Sequence, residues 1–253
     1  MKKTPADELA RGRVVVIGAG GLGSPVALSL AAAGVGFIRI VDDDVVELAN
    51  LQRQTLFREA DIGKKKAVVA AERLRLVSGS IEVQAHAARL DAGTAWDLLE
   101  DADVVVDGSD NFATRFLVND TCVLAEIPLV TGGIRQWLGQ VLTVWPGRSP
   151  CYRCLFEEIP PAGEIPGCAE AGVLGALAGA VGAIQASEAL RLLQGLEGRY
   201  QGRLFTLEAQ SGLMRSVPID ERPDCAVCGD RATIRGLDPA RYVAAPCPDM
   251  VRR

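Results

Sequence analysis

The sequence predicts an α/β protein with a doubly wound, Rossmann-like, mostly parallel sheet that antiparallel strands continue. Three observations predict this class: apolar runs without polar alternation recur along the first half, helix-like segments separate them, and a glycine-rich turn follows the first run. Unalternating apolar runs are typical of strands buried on both faces of a parallel sheet. Strands that alternate with helices form doubly wound sheets with right-handed crossovers.

The predicted parallel strands and the helices between them fill the first half of the chain. Apolar runs place the strands at residues 14–17, 37–41, 83–85, 104–106 and 129–131. Helical patterns place the helices at residues 22–33, 66–76, 94–99 and 111–124. Because ligands bind at the carboxyl ends of strands in such sheets, we expect a site where the first and fourth strands end.

The second half of the chain has a different rhythm, with segments typical of antiparallel strands at residues 139–145, 203–207 and 213–217. A Pro- and Gly-rich connection at residues 146–172 is too long for an idle loop. The apolar segment 173–184 is about half of the ~20 residues that a membrane-spanning helix needs, so we expect it to be buried. We predict one domain, residues 1–230, and a C-terminal tail, residues 231–253, for which no structure is predicted.

Charge and composition limit the possible binding partners and the cellular compartment. The chain has 253 residues and a net charge of -5, and this acidic balance argues against a nucleic-acid partner. Its N-terminus is polar and lacks the apolar core of a signal peptide. Seven cysteines without an export signal are typical of a reducing compartment. We therefore expect a cytoplasmic protein that neither binds nucleic acid nor spans a membrane.

A glycine-rich turn follows the first predicted strand and opens a helix. Its glycines are Gly18, Gly20, Gly21 and Gly23. A strand, a tight turn and a helix N-terminus form the setting in which such glycines bind a phosphate. Asp42 closes the second strand, where a carboxylate can hold a ribose hydroxyl. We favour nucleotide binding over the alternative, a tight turn without a ligand.

The residues after Asp42 indicate which nucleotide binds. They suit a triphosphate better than a nicotinamide, because they concentrate polar and cationic side chains: Asp44, Asn50, Arg53, Gln54 and Lys66. The single histidine, His86, offers little as the general base that most alcohol-oxidising dehydrogenases need. A C-terminal carboxylate, with a pKa of about 3.5, is already ionised and needs no base. Its attack on an α-phosphate needs alignment and charge neutralisation by Mg²⁺, Arg and Lys.

Asp110 follows the fourth predicted strand, beside the glycine turn. A carboxylate there is well placed to hold magnesium, a hard ion that prefers oxygen ligands. The alternative makes Asp110 the N-cap of the helix predicted at residues 111–124. The two roles can coexist on one side chain, and the sequence leaves both open.

Four cysteines form two Cys-x-x-Cys pairs, Cys151 with Cys154 and Cys225 with Cys228. The pairs are separated by residues 155–224, 70 in all, so their spacing alone does not prove a metal site. Four thiolates without an open position are typical of structural zinc. We favour zinc over a redox dithiol, which usually comes as one pair near a helix start.

The remaining cysteines divide into one candidate nucleophile and two structural residues. Cys168 lies just before a predicted helix, where a thiol can have a lowered pKa and act as a nucleophile. The alternative, that Cys168 is a small semi-buried residue without a chemical role, is favoured at least as much by the sequence. Cys122 and Cys247 are interpreted as structural.

These motifs in combination resemble the ThiF/MoeB/HesA adenylyltransferases, relatives of the ubiquitin-activating enzymes, from Val14 to Gly229. The resemblance implies adenylation, with ATP and Mg²⁺, of the C-terminal glycine of a small ubiquitin-like sulfur-carrier protein ending in Gly-Gly. A thiocarboxylate for thiamin, molybdopterin or a related sulfur-transfer pathway would follow. It also implies bound Zn²⁺ and a homodimer. No rhodanese-like extension is present, so the sulfur donor is expected to be a separate protein.

The resemblance assigns roles residue by residue. Asp42 corresponds to the ribose ligand and Asp110 to the magnesium-associated aspartate. The implied phosphate contacts are Asn50, Arg53, Gln54 and Lys66. The implied nucleotide site also includes the four glycines, Asp44 and Asn111. The implied catalytic residues are Arg53, Lys66, Asp110 and Cys168, and the implied zinc ligands are Cys151, Cys154, Cys225 and Cys228.

One departure from the family pattern keeps open the alternative of a catalytically weak binding scaffold. Many members begin with an Arg-Tyr-x-Arg-Gln helix whose arginine reaches the partner subunit's ATP, and residues 1–12 contain no such motif. Arg11 and Arg13 lie close to the first strand. The alternatives are a catalytically weak binding scaffold, an NAD(P)-dependent oxidoreductase, and adenylation of another substrate such as a modified tRNA base.

Overall fold

The fold is described by a computed structural model that covers residues 4–161 and 172–243. Its strands are β1 Arg13–Ile17, β2 Phe37–Val41, β3 Glu82–His86, β4 Val104–Asp107, β5 Leu129–Arg135, β6 Leu138–Val144, β7 Arg203–Glu208 and β8 Leu213–Pro218. Over the described residues they form an eight-stranded sheet in the order β3-β2-β1-β4-β5-β6-β7-β8. Pairing is parallel from β3 to β5 and antiparallel from β5 to β8. The predicted fold class is confirmed.

Helices cover both faces of this sheet. They are α1 Pro5–Leu9, α2 Gly23–Ala32, α3 Lys66–Val77, α4 Ala95–Leu99, α5 Phe112–Leu124, α6 Tyr152–Leu155 and α7 Gly175–Leu193. Successive side chains of a strand point to opposite faces. Val14 and Val16 of β1 therefore join one hydrophobic core with α2, α3 and α7, while Val15 and Ile17 join another with α4, α5 and α6.

Observed and predicted boundaries differ by a few residues for local reasons. The helix predicted from residue 111 begins at Phe112, because the Asn111 side chain accepts a hydrogen bond from the Thr114 N–H and acts as the N-cap. Strand β5 continues past Thr131 to Arg135, because all seven of its residues pair with β6. That hairpin carries the sheet from its parallel half into its antiparallel half.

Helix α7 lies in the core, as the sequence predicted for its apolar start. By length and composition alone it could cross a membrane. Its Leu177, Val181 and Ala189, however, are buried in the hydrophobic core that α2 and α3 share. The helix packs against α2 and strands β4, β5 and β6. Its apolar character is thus accounted for by burial within the domain.

The start of the predicted tail is ordered against the domain, in contrast to the expectation of no structure there. Ile234 is buried, and a short 3₁₀ helix spans Pro239–Tyr242. The Tyr242 hydroxyl donates a hydrogen bond to Asp120 of α5 at 3.1 Å. Polar composition concealed this packing, which depends on a few apolar residues. The domain boundary at residue 230 stays a prediction.

Candidate nucleotide site and cysteine cluster

The glycine turn joins β1 to α2 through backbone conformations that side chains would obstruct. Gly18 has φ +84°, in the left-handed region that favours glycine. A Cβ on Gly23 would overlap the Gly18 carbonyl, so Gly23 lets the helix start directly beneath the turn. The Gly18 N–H donates to the Val41 carbonyl at 2.8 Å, which fixes the turn against the end of β2. The first N–H groups of α2 therefore face the carboxyl edge of the sheet.

A cavity of about 400 Å³ opens at this edge. It is lined by nearly every residue that the sequence assigned to the nucleotide: Gly18, Gly20, Gly21, Asp42, Asp44, Asn50, Arg53, Gln54, Lys66, Asp110 and Asn111. Gly23 does not line it and instead supports the turn from below. The structure thus brings together side chains from four separate stretches of the chain, while their individual binding roles stay predictions.

Asp42 stands at the end of β2 with its carboxylate held by backbone amides. One oxygen accepts a hydrogen bond from Ala19 N–H at 2.7 Å and the other from Asp44 N–H at 2.9 Å. Burial raises the pKa of Asp42 above its usual value, against the opposing effects of the Ala19 amide and the nearby Lys66 charge. Its remaining lone pairs can accept hydrogen bonds from a ribose.

The cationic and amide side chains of the cavity have few partners. Lys66 is buried at the start of α3, and its Nζ donates to Asp44 at 2.7 Å. Arg53 donates to the Asn50 side chain at 2.9 Å. Gln54 is 3% exposed, and its Oε1 has no hydrogen-bond partner among the described residues. Such loosely paired groups can exchange their present contacts for those of a bound anion.

Asp110 is not the helix cap that the sequence left open. Asn111 caps α5 instead, so the Asp110 carboxylate remains at the cavity, exposed and without a side-chain hydrogen bond to any described residue. Its oxygens are the hard ligands that Mg²⁺ prefers. The capping alternative is wrong, because the backbone turns into the helix one residue later.

Two polar residues beside this loop, Asp107 of β4 and Arg115 of α5, were given no role from the sequence. Asp107 is fully buried at the end of β4, where its side chain accepts hydrogen bonds from Ser109 N–H at 2.9 Å and the Thr131 hydroxyl at 3.0 Å. Arg115 lines the cavity and donates to the Ser109 carbonyl at 2.7 Å. Both lie within or just after the motif at the end of β4. The rule that ligands bind at the carboxyl ends of strands could therefore have identified them. Arg89, which follows β3, also lines the cavity.

The two cysteine pairs meet in space despite their separation in sequence. The Cys151 and Cys225 sulfurs are 3.6 Å apart, and those of Cys154 and Cys228 are 3.4 Å apart. All four sulfurs lie within 4.8 Å of one another. In a tetrahedral zinc site with Zn–S bonds of ~2.3 Å, the sulfurs lie about 3.8 Å apart. The donor set and spacing fit a metal ion with four thiolate ligands, as predicted.

Buried polar contacts join this cluster to α5. Arg153, between the first two cysteines, forms a paired salt bridge with Asp120, with Nε at 2.7 Å and Nη2 at 2.8 Å. The neighbouring Asn119 accepts a hydrogen bond from Tyr152 N–H at 2.8 Å. Asp120 is fully buried, so its charge depends on these partners.

The other cysteines and the histidine add little to either site. Cys168 and Cys247 lie outside the described residues, so the nucleophile prediction for Cys168 stays open. Cys122 is buried in α5, where burial and the nearby Asp107 charge raise the pKa of its thiol. His86 is the last residue of β3, and its buried Nε2 has no hydrogen-bond partner in the described part of the chain.

Arg13 points away from the cavity. It begins β1, at the end opposite the glycine turn, and its guanidinium bonds Asp101 at 2.6 Å. The same group stacks 3.9 Å above the Phe37 ring. Arg13 is therefore committed to packing at the far edge of the sheet and does not contribute to the nucleotide site of its own chain.

The fold and the cavity define a nucleotide-binding α/β enzyme that also carries a four-cysteine cluster. The sequence matches the ThiF family over residues 2–227, and the chain belongs to that family. It is 46% identical over 236 residues to the sulfur carrier protein adenylyltransferase of Thermus thermophilus, covering 91% of this chain and 87% of the relative. It is 48% identical over 222 residues to the SAMP-activating enzyme E1 of Haloferax volcanii, covering 88% and 82%.

Longer relatives and solved structures agree with this assignment. The chain is 46% identical over 230 residues to the pig (Sus scrofa) adenylyltransferase and sulfurtransferase MOCS3, covering 90% of this chain but only 50% of that protein. E. coli MccB in complex with ATP has a TM-score of 0.78 at 26% identity, covering 89% of this chain and 69% of MccB. The family resemblance and the adenylyltransferase class are confirmed, and the oxidoreductase alternative is not favoured.

Proposed function

We propose that this protein uses ATP to adenylate the C-terminal glycine of a small ubiquitin-like sulfur-carrier protein ending in Gly-Gly. The acyl-adenylate would then become a thiocarboxylate for thiamin, molybdopterin or a related sulfur-transfer pathway. One observation carries the proposal. A single cavity contains the glycine turn, the cations Arg53 and Lys66, and the carboxylate of Asp110, and no described histidine lines it. The names of the Thermus and Haloferax relatives support the choice of a carrier as substrate.

The proposed reaction needs alignment and charge neutralisation. Asp42 would accept hydrogen bonds from the ribose hydroxyls, and the N–H groups of the glycine turn would hold the phosphates. A carboxylate oxygen of the carrier attacks the α-phosphorus while the bond to the bridging oxygen breaks, and pyrophosphate leaves with that electron pair. Arg53 and Lys66 would hold the charge that develops on the pyrophosphate. No proton needs to be removed from the nucleophile, which fits a cavity that no histidine lines among the described residues.

Lys66 would change partner when the triphosphate binds. In the free protein its Nζ bonds Asp44, whose side chain is 67% exposed. A phosphate oxygen offers a stronger charged acceptor in a more enclosed position. Asn50 and Gln54 would complete the phosphate contacts. The short segment from Asn50 to Lys66 would thus act as a clamp over the leaving group.

The residues present fit the two implied metals differently. Asp110 has the exposed carboxylate that magnesium requires, and when bound the ion would neutralise phosphate charge during the transfer. Asp110 would hold the ion, with Asn111 beside it in the cavity lining. The four paired cysteines would hold zinc with no open position, so that site would stabilise the fold.

ATP–pyrophosphate exchange tests the adenylation step directly. We expect exchange to require both the enzyme and a carrier ending in Gly-Gly, because pyrophosphate can be reincorporated only from the acyl-adenylate. A carrier that lacks its last glycine is the matched control and should support no exchange. If folded, metal-loaded enzyme shows no exchange with any such carrier, the binding-scaffold alternative replaces this proposal.

Further parts of the proposal follow from the family resemblance and have separate tests. A covalent role for Cys168 predicts that Cys168→Ala retains pyrophosphate exchange but forms thiocarboxylate slowly when a separate sulfur donor is supplied. Thiocarboxylate formation at the normal rate would make Cys168 merely structural. Sedimentation equilibrium tests the proposed homodimer, and cell fractionation tests the proposed cytoplasmic location.

A further inference from the structure

Helix α7 buries an uncharged polar side chain against the sheet. Gln185 is fully buried on a face whose other buried members, apart from Glu188, are apolar or small. Its Nε2 donates to the Asp107 carbonyl at 2.8 Å and lies 3.4 Å from the Val130 carbonyl. The Asp107 carbonyl lies at the carboxyl end of β4, where the nucleotide cavity opens, and the Val130 carbonyl lies near the start of the neighbouring β5.

The sheet makes room for this amide at a cost in stability. A Cβ on Gly132 would overlap the Gln185 amide group, so the glycine in β5 allows the side chain to reach β4. The Oε1 of Gln185 has no hydrogen-bond donor among the described residues. A buried acceptor without a donor is unfavourable, and this cost offsets part of what the Nε2 hydrogen bond contributes to stability. The amide therefore does more than fill space, because its Nε2 holds the Asp107 carbonyl.

The contact of Gln185 falls on Asp107, the last residue of β4, directly before the loop that carries Asp110. From the opposite face of the sheet, Arg115 of α5 holds the Ser109 carbonyl at 2.7 Å. The Gly108 N–H is bound to the Ile17 carbonyl at 2.9 Å, and the Ser109 N–H to the Asp107 side chain. Two long side chains from helices on opposite faces thus hold the carbonyls of Asp107 and Ser109, one on each side of Gly108. Such a grip fixes where the next side chain, Asp110, stands.

The same helix also touches the other half of the cavity. At its first turn, a Cβ on Gly175 would press on the Gln52 carbonyl. One turn later, Ala178 lies against Gly21 of the glycine turn. Residues 175 and 185 are about 15 Å apart along a continuous helix. Helix α7 therefore sets the distance between the phosphate clamp and the Asp110 loop.

We propose that Gln185 is a positioning residue for adenylation: through the Asp107 carbonyl it fixes the loop on which Asp110 faces the nucleotide. The inference rests on the proposed function for its kinetic consequences, but its structural consequence can be measured in the free protein. Supporting groups of this kind typically change activity by about 10–100-fold when they are removed.

The test compares Gln185→Met with Thr143→Val in the full-length, metal-loaded protein. Methionine keeps the length of the side chain and removes the donor. The control also removes a buried hydrogen bond to α7, because the Thr143 hydroxyl donates to Glu188 at 2.7 Å, one turn further along. Thr143 does not line the nucleotide cavity, so both variants should lose similar thermal stability while only one disturbs the loop. Gln185→Leu replaces Gln185→Met if the latter does not fold.

We expect Gln185→Met to lower kcat for pyrophosphate exchange about 10-fold and to raise the Mg²⁺ concentration needed for half-maximal rate. The KM for the carrier should stay within about twofold of wild type, because the variant alters no carrier contact. Amide hydrogen exchange at Ser109 in the free protein should be about fivefold faster, as for the loss of one hydrogen bond. Thr143→Val should show none of these changes.

The outcomes separate this inference from the proposed function. Equal kcat and equal Ser109 exchange in the two variants would reduce Gln185 to a packing residue and overturn the inference. If the wild-type enzyme shows no pyrophosphate exchange, the proposed function fails. The amide-exchange comparison then still decides whether Gln185 fixes the loop.

Discussion

The nucleotide cavity and the cysteine cluster share helix α5 but treat their polar groups in opposite ways. The first turn of α5 lines the cavity, where, among the described residues, Lys66 and Arg53 each have one side-chain hydrogen-bond partner and Asp110 has none. Two turns further on, Asp120 receives four hydrogen bonds, from Arg153 twice, from Asn119 and from Tyr242. The cavity thus keeps hydrogen-bonding groups available for a ligand, whereas Asp120 beside the cluster is fully hydrogen-bonded.

The difference follows from what each region has to do. A charge that stays buried in the folded protein must be fully paired, because an unpaired buried charge costs several kcal/mol. A group that receives a charged ligand must instead be able to leave its resting partner at small cost. Substitutions near the cluster should therefore lower stability, whereas substitutions at the cavity should lower activity with little effect on stability.

The largest stability effect is expected at the cluster. Cys225→Ala removes one of four ligands, so zinc should fall from about one ion per chain to near zero. The free energy of unfolding should fall by at least ~5 kcal/mol, because metal binding contributes directly to folding. For a chain of this length that corresponds to a Tm roughly 10 °C lower. Elemental analysis and calorimetry measure the two quantities.

Cys122→Ala is the matched control, since Cys122 is also buried but lies outside the cluster. It should keep its zinc and lose about 1–2 kcal/mol from the small cavity that it creates. If Cys225→Ala keeps its zinc and matches Cys122→Ala in stability, the four cysteines do not bind a structural metal.

The largest activity effect is expected at Asp110. Asp110→Ala should lower the rate of pyrophosphate exchange about 10³-fold, equivalent to ~4 kcal/mol in the barrier, because the proposed magnesium ligand is lost. Zinc content and Tm should stay at wild-type values, since Asp110 is exposed and makes no hydrogen bond to a described residue. Asp97→Ala, an exposed aspartate on α4, is the control and should leave exchange unchanged. Retained activity in Asp110→Ala would remove this residue from the site.

The parts of the fold and site that could be predicted are those encoded by neighbouring residues. A glycine turn, a strand end and a Cys-x-x-Cys pair are each complete within a few residues, so their chemistry can be recognised locally. The cavity was predicted from such pieces because the carboxyl ends of parallel strands meet at one edge. The sheet order then brought Asp42, Lys66 and Asp110 together as expected.

What could not be predicted depends on contacts between distant segments or on small shifts in backbone geometry. Asp110 and Asn111 are both good N-caps, and only the backbone path after β4 determines that Asn111 takes that role. Gly23 belongs to the phosphate-binding motif, but in the structure it allows the start of α2 to pack closely against the Gly18 carbonyl. Gln185 lies 78 positions from the carbonyl that it contacts, and no local pattern marks that pairing.

An intermediate effect on stability is expected from the buried ion pair beside the cluster. Arg153→Met leaves Asp120 fully buried without its cation, which should cost about 3 kcal/mol in urea unfolding. Arg222→Met is the control, because Arg222 pairs with the exposed Asp224 and Glu157, and it should cost far less stability than Arg153→Met. The KM for ATP should stay within about twofold in both variants. A large rise in that KM for Arg153→Met would show that α5 couples the two regions.

The smallest effect concerns two aspartates that show the same contrast: Asp42, which lines the cavity, and Asp61, which does not. Asp61 has a 5% exposed side chain that accepts hydrogen bonds from Arg73, Lys64 and the Arg58 N–H. Burial acts to raise its pKa, but those hydrogen bonds outweigh burial and the pKa lies below its usual value. For Asp42, burial dominates and the pKa is raised. Asp61 thus resembles the buried Asp120 beside the cluster, because its charge is well paired. Asp42 resembles the other cavity residues, because its ionised form is not fully compensated for burial.

The two variants Asp61→Asn and Asp42→Asn should therefore show opposite pH dependence when each is compared with wild type by urea unfolding. A lowered pKa means that ionised Asp61 stabilises the fold above pH ~3.8, so wild type should lead by about 1–2 kcal/mol at pH 7. That lead should fade as the pH falls through the lowered pKa. A raised pKa means that wild type should lose stability relative to Asp42→Asn as the pH rises from ~3.8 through the raised value. Differences taken at each pH cancel the titration of the cysteines, which both proteins share. If both differences from wild type change with pH in the same direction, the two carboxylates are equally well paired. The distinction between fully paired and available polar groups would then not extend to them.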